Sequence, residues 1–316
     1  MYRYLFGPVP SRRLGVSLGV DLTPDKSCSF NCVYCECGKT GGLTSVRREY
    51  TPTADVISEL RAFLSSAPHL DSITFSGSGE PTLHTGLGTV VSFLKEEFPA
   101  YRVTVITNSS LLHLSDVRDA LLHADLVIPS LDAVSEKVFK HVNRPVPGMT
   151  SAALIEGLRV FCDSFPGKIW LEIFLVPGLN DTTHEIEQFR GLLQTLRYER
   201  VQLNTLDRPG AVSWIAPVGT RRLEEIARSL GERVEVVASR RPGASMSEHE
   251  SDIRNLVMST LQVRPCTVSE LTDVTGYSAD DLLPLLHALI EDDLLETRDE
   301  SSGLVYYGRI GRHTFR

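Results

Sequence analysis

The sequence predicts an α/β fold, an incomplete (β/α)6 barrel followed by a smaller helical domain. Three observations carry this expectation. Short runs of β-branched and apolar residues alternate with amphipathic segments as far as Val237. Six such runs are visible, fewer than the eight of a closed barrel, although six strands also suit an open doubly wound sheet. After Val237 the pattern changes to clustered helices and a terminal hairpin.

In chain order, the strand candidates are residues 17–22, 72–75, 103–106, 126–128, 169–175 and 201–203. Helical periodicity fills the gaps: 54–64 carries Val56, Ile57, Leu60, Phe63 and Leu64 on one stripe, and 87–98 has a similar one. The stretch 239–247, with Arg240, Arg241, Pro242 and Gly243, reads as a linker between a core of residues 1–238 and a domain of residues 248–316. In that second domain 253–261, 267–274 and 278–290 are expected helices, with a turn at Gly276. The apolar runs 294–297 and 304–308 flank the polar turn Asp299-Glu300-Ser301-Ser302-Gly303. Three helices and a hairpin resemble a winged helix-turn-helix.

Composition sets broad limits. In 316 residues, 42% are hydrophobic and 23% charged, near the averages for globular proteins, so a core can form. Residues 1–10 hold Arg3 and two prolines and lack the apolar run of a signal peptide. No apolar stretch approaches the roughly 18 residues of a membrane span. The expectation is a cytoplasmic protein with no membrane partner, in a compartment where clustered thiols more often bind metal than pair as disulfides. The net charge of −8 means that a nucleic-acid partner would have to be held by a local basic patch.

The sharpest signal is Ser27-Cys28-Ser29-Phe30-Asn31-Cys32-Val33-Tyr34-Cys35, just past the first strand candidate. Thiolates are soft ligands for iron-sulfur clusters or zinc, and this spacing lets one short loop wrap three corners of a cubane. A fourth iron would then lack a protein ligand. That open position is what a substrate-activating cluster needs, whereas an electron-transfer cluster is normally closed by four cysteines. Two alternatives stay open: Cys37 as a fourth ligand, although its closeness to Cys35 makes a separate corner hard to reach, and a zinc site. Cys162 and Cys266 lie in or beside apolar helical patterns and read as buried small hydrophobes.

With its aromatic before the last cysteine, this motif resembles that of the radical S-adenosylmethionine (SAM) superfamily, and the likeness covers about residues 1–237. It implies a TIM-type partial barrel, a [4Fe-4S] cluster on Cys28, Cys32 and Cys35, and SAM on the open iron, with Tyr34 packed near the adenine. Gly77-Ser78-Gly79-Glu80-Pro81-Thr82, at the end of the second strand, resembles the family's glycine-glycine-glutamate motif, which holds the methionine amino group. Here Ser78 interrupts the glycine pair. By itself the segment could be a tight turn with a solvated glutamate.

Short polar residues end the next two strands: Asn108 after the third, and Ser130 and Asp132 after the fourth. Such side chains can bind ribose hydroxyls or a carboxylate, or simply cap helices. The resemblance favours Ser130 and Asp132 for the cofactor. Residues 176–181 resemble the segment lining the adenine pocket, and Asn204, Asp207, Arg208, Arg144 and Pro145 are candidates for substrate contact.

The resemblance implies reductive cleavage of SAM to methionine and a 5′-deoxyadenosyl radical, which abstracts hydrogen from a substrate. It also implies an electron donor such as flavodoxin or ferredoxin. Within the superfamily, residues 6–15, Cys37-Gly38-Lys39-Thr40 and Gly77 to Thr82 are most similar to the branch of wyosine-type tRNA-modifying synthetases. The second cysteine set of those enzymes is missing, and neither Lys26 nor Lys39 matches their pyruvate-binding lysine.

Residues 246–308 hold thirteen acidic residues against three arginines, a surface that repels a polyanion. Asp280 and Asp281 open the third helix, where a DNA reader would meet phosphate, so DNA binding is not expected. Arg309, Arg312 and Arg316, with Arg240 and Arg241, could form a modest basic patch. Three functions follow as expectations: a radical enzyme acting on tRNA or another large substrate, one acting on a protein or small molecule, or a non-enzymatic iron-sulfur sensor with winged-helix output.

Overall fold

The computed structural model describes residues 2–11, 13–206, 210–237, 253–254, 257–258, 260–261, 265–275, 277–300 and 303–308. The expected linker, the basic patch, Gly276, Asp207 and Arg208 lie outside these residues.

The strands are β1 (Leu5–Ser11), β2 (Gly15–Val20), β3 (Ser27–Cys28), β4 (Gly42–Leu43), β5 (Ser72–Phe75), β6 (Val103–Thr107), β7 (Leu126–Pro129), β8 (Lys168–Phe174), β9 (Arg200–Asn204) and β10 (Val234–Val236). The helices are α1 (Thr53–Leu64), α2 (Leu87–Glu97), α3 (Ser115–Leu121), α4 (Glu136–Val142), α5 (Ser151–Ser164), α6 (Thr183–Leu193) and α7 (Thr220–Leu230). Eight strands form one sheet in the order β1-β2-β5-β6-β7-β8-β9-β10. Every pairing in it is parallel except β1 with β2. The two ends of this order do not pair, so the barrel is incomplete as expected.

Side-chain alternation along the strands builds two layers. Val103 and Val105, Val127, and Ile169, Leu171 and Ile173 join α1, α2, α5 and α6 in the main core. The intervening Ile106, Leu126, Ile128 and Trp170 form a separate apolar cluster with Leu14. Residues of this second set that are polar bond to one another, as in the hydroxyl chain Ser17–Thr74–Ser72–Thr104, at 2.7, 3.2 and 2.8 Å. Burial on both faces explains why apolar and hydroxyl side chains, and few charges, fill both sides of these strands.

All six strand candidates are present, within two residues of the expected limits. Two edge strands were not expected. In β1, Gly7, Pro8 and Pro10 hide the strand character, and the ladder is irregular between Phe6 and Val9; an edge position tolerates this. β10 has only three residues.

Beyond the barrel the described residues of 253–261 are helical. They are followed by β11 (Cys266–Thr267), α8 (Val268–Thr275), α9 (Ala279–Glu291), β12 (Leu295–Glu300) and β13 (Gly303–Gly308). Ser278 and Asp281 close a reciprocal capping box on α9. β11, β13 and β12 form a three-stranded sheet, and Val257, Met258, Leu261, Leu271, Leu282, Leu286, Leu289 and Leu295 make this unit's own core. Cys162 and Cys266 are buried in the two cores.

Candidate active site

Residues 21–44 leave the carboxyl end of β2 and wrap into a loop that carries four half-buried thiols. Backbone bonds set its turns: Cys35 N–H donates to Cys32 O (3.2 Å) and Gly38 N–H to Cys35 O (2.9 Å). The end of α4 anchors it, because Asn31 N–H donates to Asn143 O (3.0 Å) and Val33 N–H to Val142 O (2.9 Å). Arg144 and Pro145 therefore lie beside the cysteines, with a bridge between Phe30 and Pro145.

The thiols sit in different fields. Burial pushes Cys28 up to about 12, and burial raises Cys32 as well, reinforced by the Asp132 carboxylate. Cys35 is lowered, chiefly by a hydrogen bond from Cys37 and further by the Lys26 ammonium. Cys37 is raised by that same bond, and its Sγ also donates to Gly77 O at 3.5 Å. The thiol left over from the triplet thus faces the glycine segment.

The surroundings fit an iron-sulfur cluster. Burial keeps Cys28 and Cys32 protonated unless a cation replaces the proton, which bound metal does. Both sulfurs already face N–H donors suited to a thiolate: Phe30 N and Asn108 Nδ2 at 3.4 Å for Cys28, and Asn143 Nδ2 at 3.5 Å for Cys32. Among the described residues no three His, Cys, Asp or Glu side chains converge where a single ion would sit. A cubane instead asks for one thiolate at each of three separate irons.

Gly77 and Gly79 approach this loop more closely than a side chain at either position would permit. A Cβ on Gly79 would lie 2.0 Å from the Ser27 carbonyl oxygen, and one on Gly77, whose φ is +136°, 2.6 Å from the Asp21 carboxyl carbon. Ser78 donates to Asp21 through both backbone N–H (3.0 Å) and hydroxyl (2.6 Å). The glycines therefore join two loops of the chain.

Glu80 is only 2% exposed, which removes the solvated-turn alternative. Its Oε1 accepts from Thr82 N (3.0 Å), Thr82 Oγ1 (2.6 Å) and Thr107 Oγ1 (2.6 Å), and its Oε2 from Asn108 N (2.7 Å). Burial raises its pKa, and those four bonds oppose the rise.

The other expected residues meet at the same end of the sheet. Asn108 turns its side chain to Cys28 and to Ser29 Oγ (2.9 Å). Asp132 accepts from the Tyr34 hydroxyl, from Asn143 Nδ2 (2.7 Å) and from Phe174 N (3.0 Å). Burial lifts Asp132 to about 6 despite these bonds, and Glu172 adds to the rise. Tyr34 stacks on Phe174, with ring centroids 3.9 Å apart, which leaves at most one ring face for an adenine. Ser130, half-buried, is fixed by its own N–H on Thr107 O (2.8 Å) and by Ser109 Oγ on its carbonyl (2.6 Å).

In residues 176–181, Asn180 is fully buried and closes its own turn, accepting from Val176 N (2.7 Å) and donating to the carbonyls of Asp132 and Phe174. Asn204 donates to Glu172 (2.9 Å), which also holds Arg13 at 2.7 Å. Sequence reasoning missed Asn143, Asp21, Glu172 and Arg13. An asparagine ending a helix and an aspartate ending a strand are commonplace. Only the pairing of strands brings Arg13 and Glu172 together.

Comparison with known proteins bears on the family and the fold. The profile described as "Radical SAM superfamily" matches residues 24–191. A UPF0026 protein of Methanocaldococcus jannaschii is 36% identical over 215 residues, covering 67% of this chain and 66% of the relative. A Brachyspira hyodysenteriae protein named GTPase Obg is 33% identical over 295 residues, 91% of this chain but only 42% of that protein. A probable dual-specificity RNA methyltransferase of Opitutus terrae is 26% identical over 238 residues, 68% of this chain and 60% of the relative. The chain thus spans between about two fifths and two thirds of these relatives' lengths. Among solved structures, a radical SAM methyltransferase from Sphaerobacter thermophilus gives a TM-score of 0.52 at 24% identity, covering 70% of this chain and 65% of that one. TYW1 with a lysine-pyruvate adduct gives 0.51 at 15%, covering 71% and 75%. At these identities the structures share the fold.

Proposed function

The chain belongs to the radical SAM superfamily, whose cofactors are a [4Fe-4S] cluster and SAM, and from that premise we propose that it is an enzyme that cleaves SAM reductively to modify RNA, tRNA being one of the substrate classes expected from the sequence. The bound cofactors supply one-electron cleavage of the sulfonium to methionine and a 5′-deoxyadenosyl radical, which takes a hydrogen atom from substrate.

The chain's own part is binding, orientation and exclusion of water. Cys28, Cys32 and Cys35 would hold three irons, with Cys37 standing outside the ligand set. The Gly77 to Gly79 backbone, kept rigid by Glu80 and Asp21, would receive the amino-acid end of the cofactor. Ser130 and the Tyr34 ring face opposite Phe174 would receive the nucleoside. The observation that carries this reading is the convergence of the three thiols, the Glu80 segment and the polar ends of β6 and β7 at one end of a parallel sheet, where such barrels build active sites.

An RNA substrate is supported by the surface beside the cluster loop. A cavity of about 360 Å³ there is lined by Asn31, Leu43, Lys140, Arg144, Pro145 and Met149 among others, with two cations and no carboxylate. Lys39 is exposed close by in sequence. The relative named as an RNA methyltransferase is in keeping with that chemistry. The carboxyl-terminal unit, read as a winged helix separated by the 239–247 linker, carries Asp280 and Asp281 exposed on α9. Its proposed role is contact with protein, such as a flavodoxin or ferredoxin donor, or closure over bound substrate.

The test is anaerobic reconstitution, iron and sulfide quantitation, and reduction in the presence of SAM. Formation of 5′-deoxyadenosine and methionine is expected; an intact cluster with no cleavage would sink the enzyme reading. Binding to unmodified tRNA should weaken steeply with added salt. Affinity that ignores salt would leave the radical chemistry and remove the RNA assignment.

A further inference from the structure

Two asparagines that no ligand motif includes stand behind the cluster cysteines in matching arrangements. Asn108 Nδ2 lies 3.4 Å from Cys28 Sγ, and Asn143 Nδ2 lies 3.5 Å from Cys32 Sγ. Each is held by a buried carboxylate. Glu80 Oε2 accepts the backbone N–H of Asn108 (2.7 Å), and Asp132 Oδ2 accepts the Asn143 side-chain amide (2.7 Å). Glu80 is 2% exposed, Asp132 4% and Asn143 2%.

The surrounding bonds fix which end of each amide faces sulfur. Asn108 Oδ1 accepts the N–H of Ser110 (3.0 Å), so its NH2 must turn toward Cys28 and Ser29. The group of Asn143 that faces the carboxylate must be the donor, and the same nitrogen has a second hydrogen for Cys32. Rotating either amide would set oxygen against a carboxylate or leave the Ser110 N–H facing another donor.

We propose that Asn108 and Asn143 are positioning residues that act through Cys28 and Cys32, each donating a side-chain N–H to a cluster thiolate and so raising the reduction potential of the cluster. The physical reason is charge. Reduction adds an electron to a cluster that three thiolates already make negative, and an N–H donor withdraws density from sulfur and stabilises the reduced form more than the oxidised one. The two carboxylates act in the opposite sense, and the side-chain amides oppose them: Asp132 bonds the same Asn143 amide that reaches Cys32, while Glu80 fixes the backbone of Asn108, whose side chain reaches Cys28. This rests on the cluster assignment above, and it needs neither SAM nor substrate.

The experiment is an EPR-monitored redox titration of the reconstituted full chain, alone and as Asn108→Leu, Asn143→Leu and the double variant. With iron and sulfide unchanged, each single variant should titrate at a more negative potential and the double variant lower still. Asn108→Gln and Asn143→Gln, which keep the donor, should recover part of the shift. Leucine variants with full clusters and an unchanged midpoint would overturn the proposal. Where a variant fails to hold its cluster, pulsed EPR of the reduced wild-type protein made with side-chain 15N-asparagine gives the answer: hyperfine coupling to 15N is expected, and its absence overturns the proposal equally. If the wild-type chain assembles no cluster, it is the functional reading that fails, and the fault is distinguishable by the missing iron.

Discussion

Glu80 Oε2 accepts the backbone N–H of Asn108 at 2.7 Å, which fastens the loop after β5 to the end of β6. Its other oxygen takes three more donors, so this carboxylate acts as a tie between loops. Glu80→Ala leaves the Thr82 and Asn108 backbone N–H groups buried without acceptors. At the usual cost of a stranded donor, this loses about 2–4 kcal/mol of stability, measurable by denaturant titration of the apo-protein. A loss below about 1 kcal/mol would mean that water or a shifted loop replaces the carboxylate.

Cys28→Ala, Cys32→Ala and Cys35→Ala each remove one corner of the proposed cluster, so iron bound after reconstitution should collapse in all three. Cys37→Ala should retain it, because Cys37 meets Cys35 and the Gly77 carbonyl instead of a separate corner. Iron lost on Cys37→Ala to the same degree would make the site a closed four-cysteine one.

Much of this site is readable from the chain, and the reasons are local. Cys28, Cys32 and Cys35 lie on one loop, so their spacing alone brings them together. Glu80 follows a four-residue strand, Ser72–Phe75, that is ended by the Gly77 and Gly79 turn, which puts Glu80 at the rim. What stayed hidden depends on pairing between distant segments. Asn143 reaches Cys32 across 111 positions and Asn108 reaches Cys28 across 80, and nothing in the residues flanking either asparagine hints at sulfur. The glycines were legible as sites of close approach, but what approaches Gly79 is the Ser27 carbonyl. In β1, Pro8 and Pro10 conceal a strand that only its edge position allows.

Burial holds Asp132 at about 6 in the folded chain, against 3.8 ordinarily. A raised carboxyl pKa means that the folded state binds the proton more tightly than the unfolded one. Its stabilising contribution is complete below about pH 4 and lost as pH rises through about 6, a difference of about 3 kcal/mol. Apo-protein stability should therefore fall relative to Asp132→Asn as pH rises across that window, in paired denaturation curves. A gap between the two proteins that stays constant with pH would show that this carboxyl does not titrate there.

Gly79 tests whether the two loops must touch for the site to exist. A methyl group there would lie 2.0 Å from the Ser27 carbonyl oxygen and 2.7 Å from Thr23 Oγ1, and the first of these is backbone that cannot rotate away. The same carbonyl accepts the Glu80 N–H at 3.0 Å, so moving it also loosens Glu80. Gly79→Ala should cost about 1–3 kcal/mol, as overpacking does, and should reduce the iron retained by the adjoining Cys28. Gly41→Ala is the control from the cysteine loop, where the nearest atom to a new Cβ is 3.9 Å away, and it should be close to neutral. Equal effects from the two substitutions, read by denaturation and by iron content, would separate cluster binding from the contact between Ser27 and Gly79.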